Sequence, residues 1–117
     1  MGHRLAARDH RMKVYSIVSE ARASQDLDAI MRWRIEALGR ASAAEFGDEL
    51  AEAMSLLSRF PEIAPAAPGR KRGTFSKTIR RFALNRTHYC FSYRVNHATQ
   101  VITIRRIWPQ RGRAPRM

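Results

Sequence analysis

From Thr87 to Val95, the apolar residues Tyr89, Phe91, Tyr93 and Val95 alternate with Cys90, Ser92 and Arg94. A period of two is that of a β-strand with one buried face, and this one reads as the middle strand of a sheet. Four residues, Asn96-His97-Ala98-Thr99, separate it from the β-branched run Gln100-Val101-Ile102-Thr103-Ile104, which continues through Arg105-Arg106-Ile107-Trp108 until Pro109 stops it. The two runs predict a hairpin. Upstream, Lys77 to Leu84 reads as a strand with Phe82 and Leu84 on one face and Arg81 on the other, and Asn85-Arg86-Thr87 turns it into the middle strand.

The first half has a different period. Lys13 to Val18 is a short β-type run, and Ser19-Glu20 behind it suits a helix start. Leu27, Ile30, Met31, Ile35 and Leu38 then recur at steps of three and four, with Asp28, Arg32 and Glu36 opposite, so an amphipathic helix is expected to end near Gly39. Ser42-Ala43-Ala44-Glu45 fits a capping box, in which hydroxyl and carboxylate each satisfy a free N–H. A second helix is expected from there, with Phe46, Leu50, Ala53, Met54 and Leu57 as its apolar stripe, until Pro61. Pro61 to Gly73, with three prolines and two glycines, reads as a loop that exposes Arg70-Lys71-Arg72.

The order strand, helix, helix, strand, strand, strand predicts an α+β two-layer domain, a helix hairpin packed on one side of a mainly antiparallel sheet. The first strand is expected to pair antiparallel with an outer strand, and the other sheet face to stay open for function. Residues 1–11 carry no apolar period and read as a flexible arm, which leaves residues 12–117 as a single domain.

Charge is segregated along the chain. The net charge is +12, yet all 10 acidic residues lie at or before Glu62, and every Lys and Arg from Arg70 onward is unopposed in sequence. A concentrated cationic surface repels itself and suits an anionic partner, either nucleic acid or an acidic protein. No apolar run approaches the roughly 20 residues that span a bilayer, and the charged N-terminus lacks a signal-peptide core, so a cytoplasmic protein is expected. The single cysteine permits no internal disulfide.

Candidate chemistry is sparse. His88, Cys90 and His97 lack the paired spacing of a zinc site, Cys90 reads as a buried thiol rather than a nucleophile, and no metal or other cofactor is implied. No phosphate-cradling glycine loop occurs. Trp33 and Trp108 read as packing residues, although Trp108, close to Arg105, Arg106 and Arg111, also suits stacking on a base.

From Lys13 to about Arg111 the order and spacing of local strings resemble the RelE/ParE superfamily of type II toxins. The strings are Ala23, Asp26-Leu27 and Ile30 on the first helix, Leu57 and Pro61 closing the second, the Arg80-Arg81 strand, His88-Tyr89-Cys90-Phe91-Ser92-Tyr93, and a last strand ending in Arg111. The resemblance implies a small growth inhibitor neutralised by a cognate acidic antitoxin. Ribonuclease members of the superfamily cut messenger RNA on the ribosome, using basic groups on the second strand, an arginine after the first tyrosine of the third, an arginine beyond the last strand, and often a C-terminal tyrosine. Arg81 and Arg111 match that pattern. Ala83 stands where a second strand-two base is expected, Cys90 replaces the arginine after Tyr89, and no tyrosine follows. Arginines alone supply transition-state charge but no proton acceptor or donor. The remainder resembles the ParE branch, which poisons DNA gyrase, and makes Arg81, Arg105, Arg106 and Arg111 the expected target-binding residues. The alternatives are a ribosome-dependent endonuclease acting through Arg81 and Arg111 and a non-toxic basic nucleic-acid-binding module.

Overall fold

A computed structural model describes residues 14–111. The arm read at residues 1–11 lies outside the described residues. Strand β1 (Ser16–Ser19) leads directly into helix α1 (Ala21–Leu38), and helix α2 (Arg40–Arg59) follows. Strands β2 (Ala66–Pro68), β3 (Phe75–Leu84), β4 (Tyr89–Asn96) and β5 (Val101–Pro109) complete the chain. The sheet has five strands in the order β1-β5-β4-β3-β2, with β4 at its centre. Among the described residues no helix is long and apolar enough to cross a membrane.

The α+β two-layer expectation holds, with two corrections. The 61–73 segment is not all loop, because β2 forms inside it and pairs antiparallel with β3, Ala66 opposite Arg80 and Pro68 opposite Phe75. Proline is tolerated there because β2 is an edge strand, whose outward positions need no N–H donor. This extra strand reverses the chain once more than the sequence reading allowed. As a result β1 runs parallel to β5, with Ser16 to Ser19 in register with Val101 to Ile104, where an antiparallel pairing was expected.

The helix hairpin turns at one residue. Gly39 has φ +97°, a left-handed conformation that costs a glycine little, and serves as the end of α1 and the start of α2 together. The second helix therefore begins at Arg40, and the expected capping box at Ser42 lies inside its first turn without capping it. Likewise Glu20 precedes α1 with no side-chain cap bond.

The core lies between helices and sheet. From α2 it takes Phe46, Ala53 and Leu57; from the sheet, Leu84, Tyr89, Phe91, Tyr93, Ile102, Ile104 and Ile107. Phe82 stacks on Phe91 with ring centroids 5.2 Å apart, and Phe46 tilts against Tyr89 at 4.8 Å. Ring pairs of this geometry add about 0.5–1.5 kcal/mol beyond the area they bury. Helix α1 adds Ala23 to the core. Leu27, Ile30 and Met31 pack on the core, whereas Ile35 and Leu38 at its end stay exposed.

Two carboxylates pin elements that the hydrophobic pattern leaves free. Glu49 on α2 accepts hydrogen bonds from the Arg86 N–H (2.8 Å), the Thr87 N–H (3.0 Å) and the Thr87 hydroxyl (2.6 Å), and so holds the β3–β4 turn. Burial pushes its carboxyl pKa up, but these bonds and the Arg86 charge outweigh that and leave it below its ordinary value. Asp26 on α1 accepts from the backbone N–H of Ile107 at 3.0 Å, where β5 has run past the end of β1 and has no strand beside it. Without these carboxylates the Arg86, Thr87 and Ile107 N–H groups would be orphaned donors.

Candidate target-binding surface

The open face of the sheet is read most simply by rows across the strands. Arg81 of β3, Ser92 of β4 and Arg106 of β5 form one row, and Ala83, Cys90 and Trp108 form the next. Register slips between Ser92 and Tyr93, whose partners are Arg106 and Ile104, so Arg105 is the extra residue of a β-bulge. A bulge bends its strand and re-aims its side chains. Here it places two consecutive arginines on the rim of the sheet.

The four expected target-binding arginines have different environments. Arg81 lies over Trp108, its guanidinium carbon 5.4 Å from the ring centroid, and its Nε has no hydrogen-bond partner among the described residues. Arg105 faces Glu20 at 3.7 Å, beyond hydrogen-bonding range, and its Nε is also unpartnered. Arg106 is committed elsewhere, since its Nε and Nη2 bond the two oxygens of Asp26 at 2.9 and 3.2 Å, which raises its pKa further despite partial burial. Arg111 is exposed past the end of β5. The structure thus brings Arg81 and Arg106 into one row, with Arg105 beside them on the bulge, and leaves Arg111 at one end.

Arg111 is positioned by Gln110. The Gln110 N–H donates to the carbonyl of His88 at 2.8 Å, and its side-chain amide reaches the Tyr89 carbonyl and Asn85 Oδ1, both at 3.1 Å. His88 takes a left-handed φ of 67° in that turn. Beside them opens a largely apolar cleft of about 350 Å³, with Trp33, Leu38, Tyr89 and Pro109 in its walls and His88 and Arg111 on its rim. Trp33 is 54% exposed, which corrects its reading as a packing residue: it forms a wall of this cleft instead.

Trp108, in contrast, is 6% exposed beneath Arg81, so packing rather than base stacking is its role here. Cys90 is the buried thiol the sequence implied, and burial pushes its pKa up, only partly countered by the charge of Arg81. His88 and His97 flank β4 at opposite ends, and the strand between them is itself roughly 23 Å long at about 3.3 Å per residue, too far for them to share a ligand.

Sequence reasoning missed Arg34. This arginine of α1 is 7% exposed, lies over the rings of Phe46 (5.9 Å) and Tyr89 (5.6 Å), and donates from Nε to the Ser42 carbonyl at 3.0 Å. It ties both helices to the sheet and walls the Trp33 cleft. Its place between Ile30 and Leu38 on the helical wheel was the only available signal.

Comparison with known proteins agrees with this geometry. No curated protein matches the sequence. Among solved structures, the fold is similar to the chromosomal ParDE toxin–antitoxin system of P. aeruginosa, with TM-score 0.62, 23% identity, and coverage of 83% of this chain and 97% of that one. It is also similar to the archaeal RelE–RelB complex of Pyrococcus horikoshii OT3, with TM-score 0.55, 19% identity, and coverage of 86% and 99%. A third similar structure is the isolated E. coli RelE toxin, with TM-score 0.52, 16% identity, and coverage of 86% and 87%. The family model for the ParE toxin of the type II toxin–antitoxin system parDE matches residues 17–113, from β1 to just past Arg111. The chain therefore belongs to the ParE toxin family of the RelE/ParE superfamily of type II toxins.

Proposed function

We propose that this toxin arrests growth by poisoning DNA gyrase and that a cognate acidic antitoxin neutralises it. The observation that carries the choice of target is the row Ala83, Cys90, Trp108 on the open sheet face. Where a nuclease needs groups that take and give protons, this row offers a methyl group, a thiol whose pKa is raised by burial, and an indole. Arg81 beside it stays charged and stabilises anions without transferring protons. Such a surface binds; it does not hydrolyse.

Two features support the antitoxin. The ParDE and RelE–RelB structures similar to this one are toxin–antitoxin systems. The Trp33–Leu38 cleft offers apolar walls next to Arg111, which suits a segment that lays apolar anchors into a groove and sets carboxylates against arginines. Expressing the chain alone should stop growth, and co-expressing an acidic protein encoded beside it should restore growth. Normal growth without any partner would favour the non-toxic nucleic-acid-binding module instead.

A further inference from the structure

At the end of the sheet away from Arg111, the β2–β3 hairpin rises over the open face and encloses a second cleft of about 510 Å³. Ala67 and Ile79, both buried, form its floor. Arg70 and Lys71 on the hairpin stand on one side and Arg105 of the bulge on the other; among the described residues no carboxylate lines the cleft, and Glu20 approaches Arg105 Nε only to 3.7 Å. Phe75 completes the wall with its ring 70% exposed, the most exposed large apolar side chain among the described residues.

The hairpin is built to hold this shape. Gly69 N–H donates to the Thr74 carbonyl at 2.8 Å, and both the N–H and the hydroxyl of Thr74 return to the Lys71 carbonyl, at 3.1 and 2.6 Å. A Cβ at Gly69 would lie 2.5 Å from the Thr74 hydroxyl and 3.3 Å from the Phe75 backbone, so a side chain there would have to push that hydroxyl off the Lys71 carbonyl. Ser76 Oγ is likewise occupied, accepting from the N–H groups of Ile79 (2.9 Å) and Thr78 (3.2 Å).

We infer that this cleft binds single-stranded DNA, with phosphates between Arg70, Lys71 and Arg105 and a base stacked on Phe75. Cationic rims around an exposed aromatic ring are the combination that holds nucleic-acid strands without reading sequence. A paired duplex keeps its base faces hidden and cannot use the ring. An acidic peptide would satisfy the cations but leave Phe75 without a flat partner. Of the lining hydroxyls, that of Thr74 is spent on the Lys71 carbonyl, while Ser76 Oγ accepts two backbone N–H groups of its own strand. The choice of DNA over RNA rests on the gyrase reading, because a poison that traps the enzyme on cleaved DNA works beside opened strands.

The test is fluorescence anisotropy with a labelled oligothymidylate of about 20 nucleotides, compared with the same length of oligouridylate and of duplex, across a salt series. Phe75→Ala should weaken oligothymidylate binding about fivefold or more, since a stacked base contributes that much, and Phe75→Trp should preserve it. Arg70→Ala with Lys71→Ala should lower the salt slope by about 1.4, the release expected from two phosphates on a single strand. All three side chains are exposed, so thermal melting of the variants should match the parent. Unchanged affinity in Phe75→Ala would overturn the proposal. So would duplex binding as tight as single strand, RNA preferred by more than tenfold, or displacement of the oligonucleotide by polyglutamate through the same Phe75-dependent site. Gyrase assays separate this proposal from the target assignment. Phe75-dependent strand binding in a protein that leaves gyrase untouched keeps the cleft and removes the target, whereas gyrase poisoning without strand binding removes the cleft alone.

Discussion

Arg106 and Asp26 are joined by a two-pronged ion pair, Nε to Oδ2 at 2.9 Å and Nη2 to Oδ1 at 3.2 Å, while the same Oδ2 also accepts the Ile107 N–H at 3.0 Å. One carboxylate thus anchors α1 to the unpaired edge of β5. It also removes Arg106 from the set of cations free to meet a target, and makes it a positioning residue for the bulge that presents Arg105.

Arg106→Ala should therefore act through stability. With both side chains no more than a quarter exposed, the substitution strands a carboxylate and should cost about 1.5–3 kcal/mol, as hydrogen bonds to charged groups do. Chemical denaturation measures this directly. Arg105→Ala, whose only ion pair among the described residues is long, should leave the unfolding free energy within about 0.5 kcal/mol of the parent.

Glu49 predicts an acid-sensitive turn. Its folded pKa lies below the ordinary value of 4.5, so its contribution is complete above that pH and is lost as pH falls through the lower folded value. Glu49→Gln should cost roughly 1–3 kcal/mol at neutral pH, because the Arg86 and Thr87 donors lose their charged acceptor. Stability followed from pH 7 downward should fall more steeply in the parent than in the variant, and the two curves should converge in acid.

The Trp33 cleft should prove to be a binding feature without a stabilising role. Trp33→Ala and Leu38→Ala remove side chains that are 54% and 57% exposed, so melting should barely change. If the antitoxin anchors there, the tryptophan substitution should weaken the complex by about 2 kcal/mol or more, as truncated aromatic anchors do. Association should also slow as salt is raised, because unopposed cations steer an acidic partner. An association rate constant independent of ionic strength would show that charge does not guide the encounter.

What the sequence revealed follows from which residues carry periodic information. The hairpin of β4 and β5 was legible because Tyr89, Phe91 and Tyr93 alternate cleanly and the 96–99 turn is short, and the helices because Phe46, Ala53 and Leu57 keep a helical period. Strand β2 was not, since Ala66-Ala67-Pro68 is three residues long and carries the proline that usually argues against a strand. That one omission reversed the predicted sense of β1. Of the site, charge segregation marked the basic half and the family resemblance singled out Arg81 and Arg111 within it, but the roles of the arginines were not legible. Only the fold shows that Arg106 is tied to Asp26, 80 residues away in sequence, and that Arg81 rests on Trp108. Arg34 was hidden for the same reason, because a charged residue on an amphipathic helix reads as solvent-facing until the rings it covers are known.

On the proposed function, the arginine surface binds gyrase instead of cutting messenger. The most direct test incubates the purified toxin with gyrase and supercoiled plasmid, and in parallel with ribosomes translating a defined messenger. Cleaved plasmid should accumulate with gyrase, less of it with Arg81→Ala or Arg111→Ala, while the messenger stays intact. Codon-specific cuts in the messenger that disappear in those two variants, with gyrase unaffected, would contradict the account and establish a ribosome-dependent endonuclease.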